Sequence, residues 1–523
     1  MDSDGGKVFE SGKFSQLYNK KPVNLDSALE KITDFGQLKI FPSVREAMVM
    51  DIKSQYNLKN TQYKSIDEVS IRPTPVQIAA IRKTNKSRKL KSDAKLAEMS
   101  QGERIQYELQ NENEMNKIKI FTIAAETGSG KTWAYLASVL SKLKEDDFNW
   151  FCQSQDKLQR FKSSQQVRSV ILVPTHELVE QVYENLQRAN SFKLANDVGV
   201  PKQYHEFLQL PENQTLGLSI MKLSHGDAPI KLFKKLRHEG KIDVLVTTPG
   251  KITGFSKLDV VDRPFKVFKS VRYCVLDEAD TLFDKSFLND TTSVVKNFPN
   301  LLDLILVSAT IPKEFEKTLS RLFPDDNSLI RVATPSLHKI PKSIKIMTLD
   351  ADLSPYNGSK TRCLAQAIYA ISKDGTEPDH VKRIIVFVNE KSEVEGLVEL
   401  MKKKYNIREQ DICGISGQVH VGDRKEFLEP FVRPAQLLKD DLDQSKVKIL
   451  VTTDLLSRGL NFVGIKNVIL LGLPKSSVEL VHRLGRTGRM NQSGRAFIIV
   501  DKKSKKSWVK GLGSAILRGI KIG

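Results

Sequence analysis

Short, uninterrupted apolar runs that end in small or polar residues, each followed by a stretch of helical spacing, set the pattern of this chain. They occur at Val170-Ile171-Leu172-Val173, Val244-Leu245-Val246, Tyr273-Cys274-Val275-Leu276 and Leu304-Ile305-Leu306-Val307. The series resumes at Ile384-Ile385-Val386-Phe387-Val388, Ile449-Leu450-Val451 and Val468-Ile469-Leu470-Leu471. A strand that is apolar at every position has both faces buried, so its alternation with helices predicts a parallel sheet covered on both sides. After the first run, Leu178, Val179, Val182, Tyr183, Leu186 and Ala189 recur at three and four, the spacing of an amphipathic helix. Between the two series Pro335 and Pro341 bracket a short polar stretch.

The pattern therefore predicts an α/β protein of two lobes, 31–333 and 343–500, joined by a linker at 334–342. An extension precedes them at 1–30, and a basic tail follows at 501–523 with Lys502, Lys503, Lys505, Lys506, Lys510, Arg518, Lys521 and Trp508. Residues 82–117, 190–222 and 432–446 read as insertions, the last two as polar loops without a period. Any target specificity is expected in these insertions and the tail.

Length agrees, because 523 residues exceed what one core holds, about 250–300. Lys and Arg number 82 against 62 Asp and Glu, and a net charge of +20 suits a polyanionic partner. The four cysteines include no CxxC pair, which argues against a zinc site or a disulfide framework. No run approaches 18 apolar residues, so no membrane partner is expected. The first residues, MDSDGGKVFE, resemble neither a secretory signal nor an Arg-rich presequence, and a targeting segment removed before this numbering is compatible with them.

The chemistry concentrates at strand ends. Ala125-Glu126-Thr127-Gly128-Ser129-Gly130-Lys131-Thr132 lies between the apolar stretch 118–123 and a helical run, the setting of a phosphate-binding loop. Gly128 and Gly130 let backbone N–H groups face phosphate, Lys131 reaches the β/γ phosphates, and Thr132 is placed to hold Mg²⁺. Alanine at 125 stands where the usual spacing has the first glycine. Asp277-Glu278-Ala279-Asp280 ends another strand and points to the same crevice. Asp277 suits a metal held through water, and Glu278 suits orientation and deprotonation of the attacking water.

With these motifs in this order the chain resembles a DEAD-box ATP-dependent RNA helicase from about residue 31 to residue 500. That resemblance implies two tandem RecA-like domains, ATP and Mg²⁺ as cofactors, and an RNA-dependent ATPase. Gln77 matches the adenine-reading glutamine, and Phe35 matches the upstream aromatic that stacks on the base, a core phenylalanine being the alternative. Ser308-Ala309-Thr310 resembles the segment coupling hydrolysis to lobe closure, with a helix cap as the other reading. In His482-Arg483-Leu484-Gly485-Arg486-Thr487-Gly488-Arg489, the resemblance puts Arg486 and Arg489 on the γ-phosphate and His482 in the catalytic set. Asp454 and Arg458 match the segment sensing nucleotide and RNA, and Asn461 stands where aspartate is usual in the nucleotide-contacting position.

The implied RNA track runs through Thr175, His176, Gly226, Thr248, Pro249 and Lys251 in the first lobe. In the second it takes Asn389, Arg424, Thr453 and Arg458. His176 and Lys251 replace arginines, and Val421 replaces the glutamine of the segment holding Arg424. Such contacts go to phosphate and ribose, so recognition is of backbone shape.

His176, Lys251, Asn461 and the stretch Leu473 to Met490 are most similar to the fungal mitochondrial members that assist large ribosomal subunit assembly. They imply a matrix protein, monomeric outside the particle, with ribosomal RNA and a pre-ribosomal particle as partners. A nuclear or nucleolar assembly helicase is the alternative, and an ATP-gated clamp with little turnover is the alternative activity.

Overall fold

The computed structural model describes residues 32–54, 70–85, 100, 117–125, 129–195, 200–257, 263–309, 313–322, 329–333, 340, 343–415, 421–433, 435–438, 446–454, 462, 464–474, 477–488, 493–502, 509 and 511–514. The chain divides between Thr334 and Pro335 into two compact units.

The first unit opens with α1 (Pro42–Ser54) and α2 (Pro75–Thr84), followed by β1 (Lys119–Ala124) and α3 (Lys131–Gln153). It continues with β2 (Val167–Leu172), α4 (His176–Ser191), β3 (Ile220–Leu223), α5 (Ile230–Glu239), β4 (Ile242–Thr247) and α6 (Pro249–Thr253). β5 (Tyr273–Asp277), β6 (Asp303–Ser308), α7 (Lys313–Leu322) and β7 (Leu329–Ala333) complete it. Its strands form one parallel sheet in the order β3-β4-β2-β5-β6-β1-β7.

The second unit holds β8 (Ile344–Asp350), α8 (Lys360–Lys373), β9 (Lys382–Phe387), α9 (Ser392–Tyr405), β10 (Ile412–Ile415) and α10 (Val421–Val432). β11 (Val447–Thr452), β12 (Asn467–Leu471), α11 (Ser477–Leu484) and β13 (Gly494–Val500) follow. The sheet is parallel in the order β10-β11-β9-β12-β13-β8. Successive side chains of a strand point to opposite faces. Ile385 and Phe387 accordingly join one core while Ile384, Val386 and Val388 join the other. That two-sided burial is why the central strands read as continuous apolar runs.

Two expectations need correction. Residues 190–195 and 200–222 are folded, not a structureless polar insertion: they contain short helices at Lys202–Tyr204, His205–Leu208 and Pro211–Asn213 and most of the edge strand β3. Leu194, Phe207, Leu208, Leu216 and Leu218 from this stretch are buried in the first core, and Phe207 meets Phe41, Phe148 and Phe151 edge-on or tilted. The basic tail is likewise part of the second core at Val509 and Leu512. Of the other insertions, 86–99, 101–116, 434 and 439–445 lie outside the described residues, as do most of the linker and Trp508.

A buried lysine fastens the segment at 205–216. Lys144 of α3 donates to Asn213 Oδ1 at 2.7 Å and to the Leu216 carbonyl at 3.1 Å. Burial lowers its ammonium from the ordinary 10.5 to about 8. The folded state therefore releases this proton before the unfolded chain does, and stability rises as pH climbs from about 8 toward 10.5. Urea unfolding at about pH 8 and about pH 10 is expected to show a gain of about 2 kcal/mol that Lys144→Met lacks, one pKa unit being worth about 1.4 kcal/mol.

Candidate active site

Three adjacent strands of the first unit end level with one another. Asp277 of β5 lies opposite Val307 of β6, and Ser308 lies opposite Ala124 of β1. Ala125, which opens the phosphate loop, donates its N–H to the Ser308 carbonyl at 3.1 Å. The candidate coupling residue and the loop are thus hydrogen-bonded neighbours. Thr310, Glu126, Thr127 and Gly128 lie outside the described residues, and Ser129 is described at the loop's far end.

Gly130 has φ +88°, a left-handed conformation that costs glycine little, and it delivers the chain into α3 with Lys131 and Thr132 in the first turn. A Cβ at 130 would lie 2.7 Å from Gln77 Nε2, so any other residue would have to push that amide aside. Lys131 Nζ donates to the Ala125 carbonyl at 2.7 Å, folding its ammonium back over the loop.

Gln77 is held at both ends of its amide. Its Oε1 accepts from the Thr74 N–H at 2.9 Å in a reciprocal cap of α2, and its Nε2 donates to the Gly130 carbonyl at 3.3 Å. The glutamine is therefore physically tied to the phosphate loop. Phe35 is 3% exposed within the first core, the packing expected of the core alternative.

The carboxylate pair sits at a strained turn. Glu278 has φ +53° and ψ +50°, a region that costs a residue with a side chain about 1–3 kcal/mol and collects at functional sites. This turn takes the chain from β5 into the short helix Ala279–Leu282 and swings Glu278 off the strand direction. Asp277 Oδ1 accepts from the Glu278 N–H at 3.0 Å, and its Oδ2 accepts from the Tyr135 hydroxyl at 3.1 Å. Burial, reinforced by the neighbouring Glu278 charge, pushes the Asp277 carboxyl up to about 7, while Lys131 and the Tyr135 hydrogen bond pull it down. Glu278 Oε2 is buried with no hydrogen-bond partner among the described residues. A crowded, desolvated carboxylate pair with one unpartnered oxygen is a donor set that fits a hard divalent cation, and Thr132 follows directly after the lysine whose charge reaches Asp277.

The first-unit RNA candidates share the neighbouring part of the same sheet edge. Thr175 caps α4, its Oγ1 accepting from the Leu178 N–H at 3.3 Å, and His176 is the first helical residue. The His176 ring meets the His225 ring edge to face, centroids 5.7 Å apart, next to Gly226 at φ +79°. Thr248 and Pro249 begin α6, and Lys251 Nζ donates to the Asp227 carbonyl at 2.9 Å. The ends of β2, β3 and β4 thus gather all six residues.

In the second unit one residue that motif reading left without a role proves central. Arg483 is 1% exposed on its side chain and grips Asp454 with Nε at 2.9 Å from Oδ1 and Nη2 at 2.6 Å from Oδ2. The same Nη2 donates to Asn389 Oδ1 at 2.9 Å, and Asn389 Nδ2 donates to the Leu473 carbonyl at 3.0 Å. A coupling candidate and an RNA candidate therefore share one guanidinium. His482 and Arg486 lie one turn apart, with Arg486 Nε donating to the His482 carbonyl at 3.3 Å. Thr453 follows β11 directly and is buried. Arg458, Asn461 and Arg489, and the side chain of Arg424, lie outside the described residues.

A glycine turn opening a helix beside a strained acidic turn, on one of two parallel sheets with polar residues at its helix starts, defines a class. The chain belongs to the DEAD/DEAH box helicase family: that family's model matches residues 74–318, and the helicase conserved C-terminal domain matches 359–491. More particularly, it is 74% identical over 527 residues to the ATP-dependent RNA helicase MRH4, mitochondrial, of Lodderomyces elongisporus, covering 100% of this chain and 87% of the relative. It is 66% identical to the protein of the same name in Candida albicans, covering 99% and 93%. The chain is a mitochondrial member of the family and an RNA helicase that uses ATP. A solved structure of Mss116p bound to ssRNA and AMP-PNP superposes with TM-score 0.58 at 19% identity, covering 99% of this chain and 81% of that one. This likeness establishes the tandem RecA-like fold.

Proposed function

We propose that the chain hydrolyses ATP to remodel RNA during assembly of the mitochondrial large ribosomal subunit, acting as a monomer outside the particle. The observation that carries the reading is the Asp277-Glu278 pair at the end of β5, level with the phosphate loop after β1. In this reading Lys131 and the backbone of 125–132 cradle the phosphates, and Gln77 reads the adenine. Thr132 and Asp277 would hold Mg²⁺, which would neutralise phosphate charge when bound. Glu278 orients and deprotonates the attacking water. Arg486 and Arg489 supply cationic charge at the γ-phosphate, His482 belongs to the same catalytic set, and Ser308, Thr310 and Asp454 couple hydrolysis to RNA.

RNA is gripped through phosphate and ribose by residues at strand ends and helix starts. Histidine and lysine at 176 and 251 offer single donors, without the bidentate fork of arginine. Replacing both with alanine is expected to weaken binding equally across RNA sequences and to lower the salt slope by about one per lost phosphate contact. Nucleotide affinity without RNA should stay unchanged; a loss confined to particular sequences would contradict backbone reading.

The assembly role is tested by crosslinking the protein to RNA in cells and sequencing the fragments. Mitochondrial large-subunit ribosomal RNA is the expected product. Messenger RNA without ribosomal RNA would refute the role.

A further inference from the structure

Tyr135 lies on α3, four residues after Lys131 and three after Thr132, so it shares their helix face one turn on. Its ring is fully buried, and its hydroxyl meets Asp277 Oδ2 at 3.1 Å. The other oxygen, Oδ1, accepts from the Glu278 N–H at 3.0 Å. Each carboxylate oxygen offers about two acceptor sites, so one on each is occupied by the protein and one remains for what the crevice binds.

We infer that Tyr135 is a positioning residue for the magnesium site, a strut that fixes the Asp277 carboxylate to the helix bearing Lys131 and Thr132. The inference rests on the proposed metal role of Asp277. Two donors from different elements leave the carboxylate one orientation, and the spacing between the strand end and the phosphate-binding turn is set by a rigid phenol. A group that holds a metal-handling carboxylate in this way commonly governs affinity for the ion, because the free carboxylate must otherwise be ordered during binding. Among the described residues Asp277 is the one hydrogen-bond partner of this hydroxyl, and a buried phenol normally finds a partner.

The test compares full-length wild type with Tyr135→Phe, which keeps the ring and removes the strut. Binding of a fluorescent N-methylanthraniloyl ATP is titrated with Mg²⁺ and repeated in EDTA. The Mg²⁺ concentration for half-maximal binding is expected to rise about tenfold, with affinity in EDTA unchanged. RNA-stimulated kcat should fall at limiting Mg²⁺ and recover at high Mg²⁺.

An unchanged Mg²⁺ dependence overturns the inference, as does an equal loss of affinity with and without the ion. If Tyr135→Phe does not fold, 3-fluorotyrosine at position 135 keeps the shape and strengthens the donor. It should move the Mg²⁺ midpoint, and a fixed midpoint overturns the inference by that route. Asp277→Asn separates the two claims: if it retains wild-type Mg²⁺ dependence, the metal role of Asp277 fails. If it loses that dependence while Tyr135→Phe keeps it, only the strut fails.

Discussion

Glu278→Gln is expected to lower RNA-stimulated ATP hydrolysis by about 10²–10⁴-fold, the usual worth of a positioned general base. RNA binding in the presence of ATP should persist. The amide has the shape of the carboxylate and makes the same backbone demands at φ +53°, so folding should survive. What it cannot do is accept the proton of the attacking water. Phosphate release measured beside ATP-dependent RNA retention separates the outcomes. Near-normal turnover would remove Glu278 from the chemistry, and joint loss of turnover and retention would make it a binding or folding residue.

The second large effect is structural. Arg168→Leu is expected to destabilise the first unit by about 3–5 kcal/mol, the range for stripping one partner from a buried ionic cluster. Arg168 on β2 donates to Asp243 Oδ1 at 2.6 Å and to the Leu143 carbonyl at 2.8 Å, and it pairs with Asp147 at 2.8 Å. Asp243, on the adjacent strand β4, also accepts from Lys241 and from the Ser219 N–H. Leucine would leave Asp147 facing an apolar neighbour and Asp243 with half its cationic support.

The acid limb gives the sign. Burial works against the Asp243 charge, but Lys241 and Arg168 outweigh it and hold the carboxyl well below its ordinary 3.8. A depressed carboxyl contributes stability that is present above the unfolded value and lost as pH falls toward the folded one. The gap between wild type and Arg168→Leu in a denaturant melt should therefore be widest above about pH 4 and narrow below it. A gap that stays constant into acid would mean that packing against the Phe161 ring, 4.8 Å away, carries the effect.

How much of this was legible in the sequence depends on where a strand lies in its sheet. The central strands β2, β4, β5, β6, β9, β11 and β12 announce themselves because both faces are covered and each carries an uninterrupted apolar run, even where polar residues such as Arg168 or Asp243 open the strand. All four edge strands, β3, β7, β8 and β10, escaped that signal. β8 reads Ile344-Lys345-Ile346-Met347-Thr348-Leu349-Asp350 with only Ile344 buried, and an edge tolerates polar positions because less of it is covered. β13 is buried through Phe497 to Val500 but opens with Gly494-Arg495, which masked its start.

The segment 190–222 was misread for a related reason. Its buried residues are single or paired apolar side chains in very short helices and loops, too short to show a period, and the lysine that fastens them lies far upstream in α3. At the site, loop and acidic residues were visible because their spacing is fixed by local backbone geometry. Tyr135 and Arg483 were not, since their roles lie in partners 142 and 29 positions away along the chain. Only folding brings those partners near.

The left-handed turn at Glu278 has an evolutionary reading. Glycine would relieve the strain there, since it takes positive φ at little cost. A stabilising change is thus one residue away, and it deletes the side chain proposed to deprotonate the attacking water. On that proposed role, drift toward stability at this one position would convert a remodelling machine into a scaffold. Selection for turnover would then oppose it, and screens for sturdier variants should tally position 278 apart from the rest.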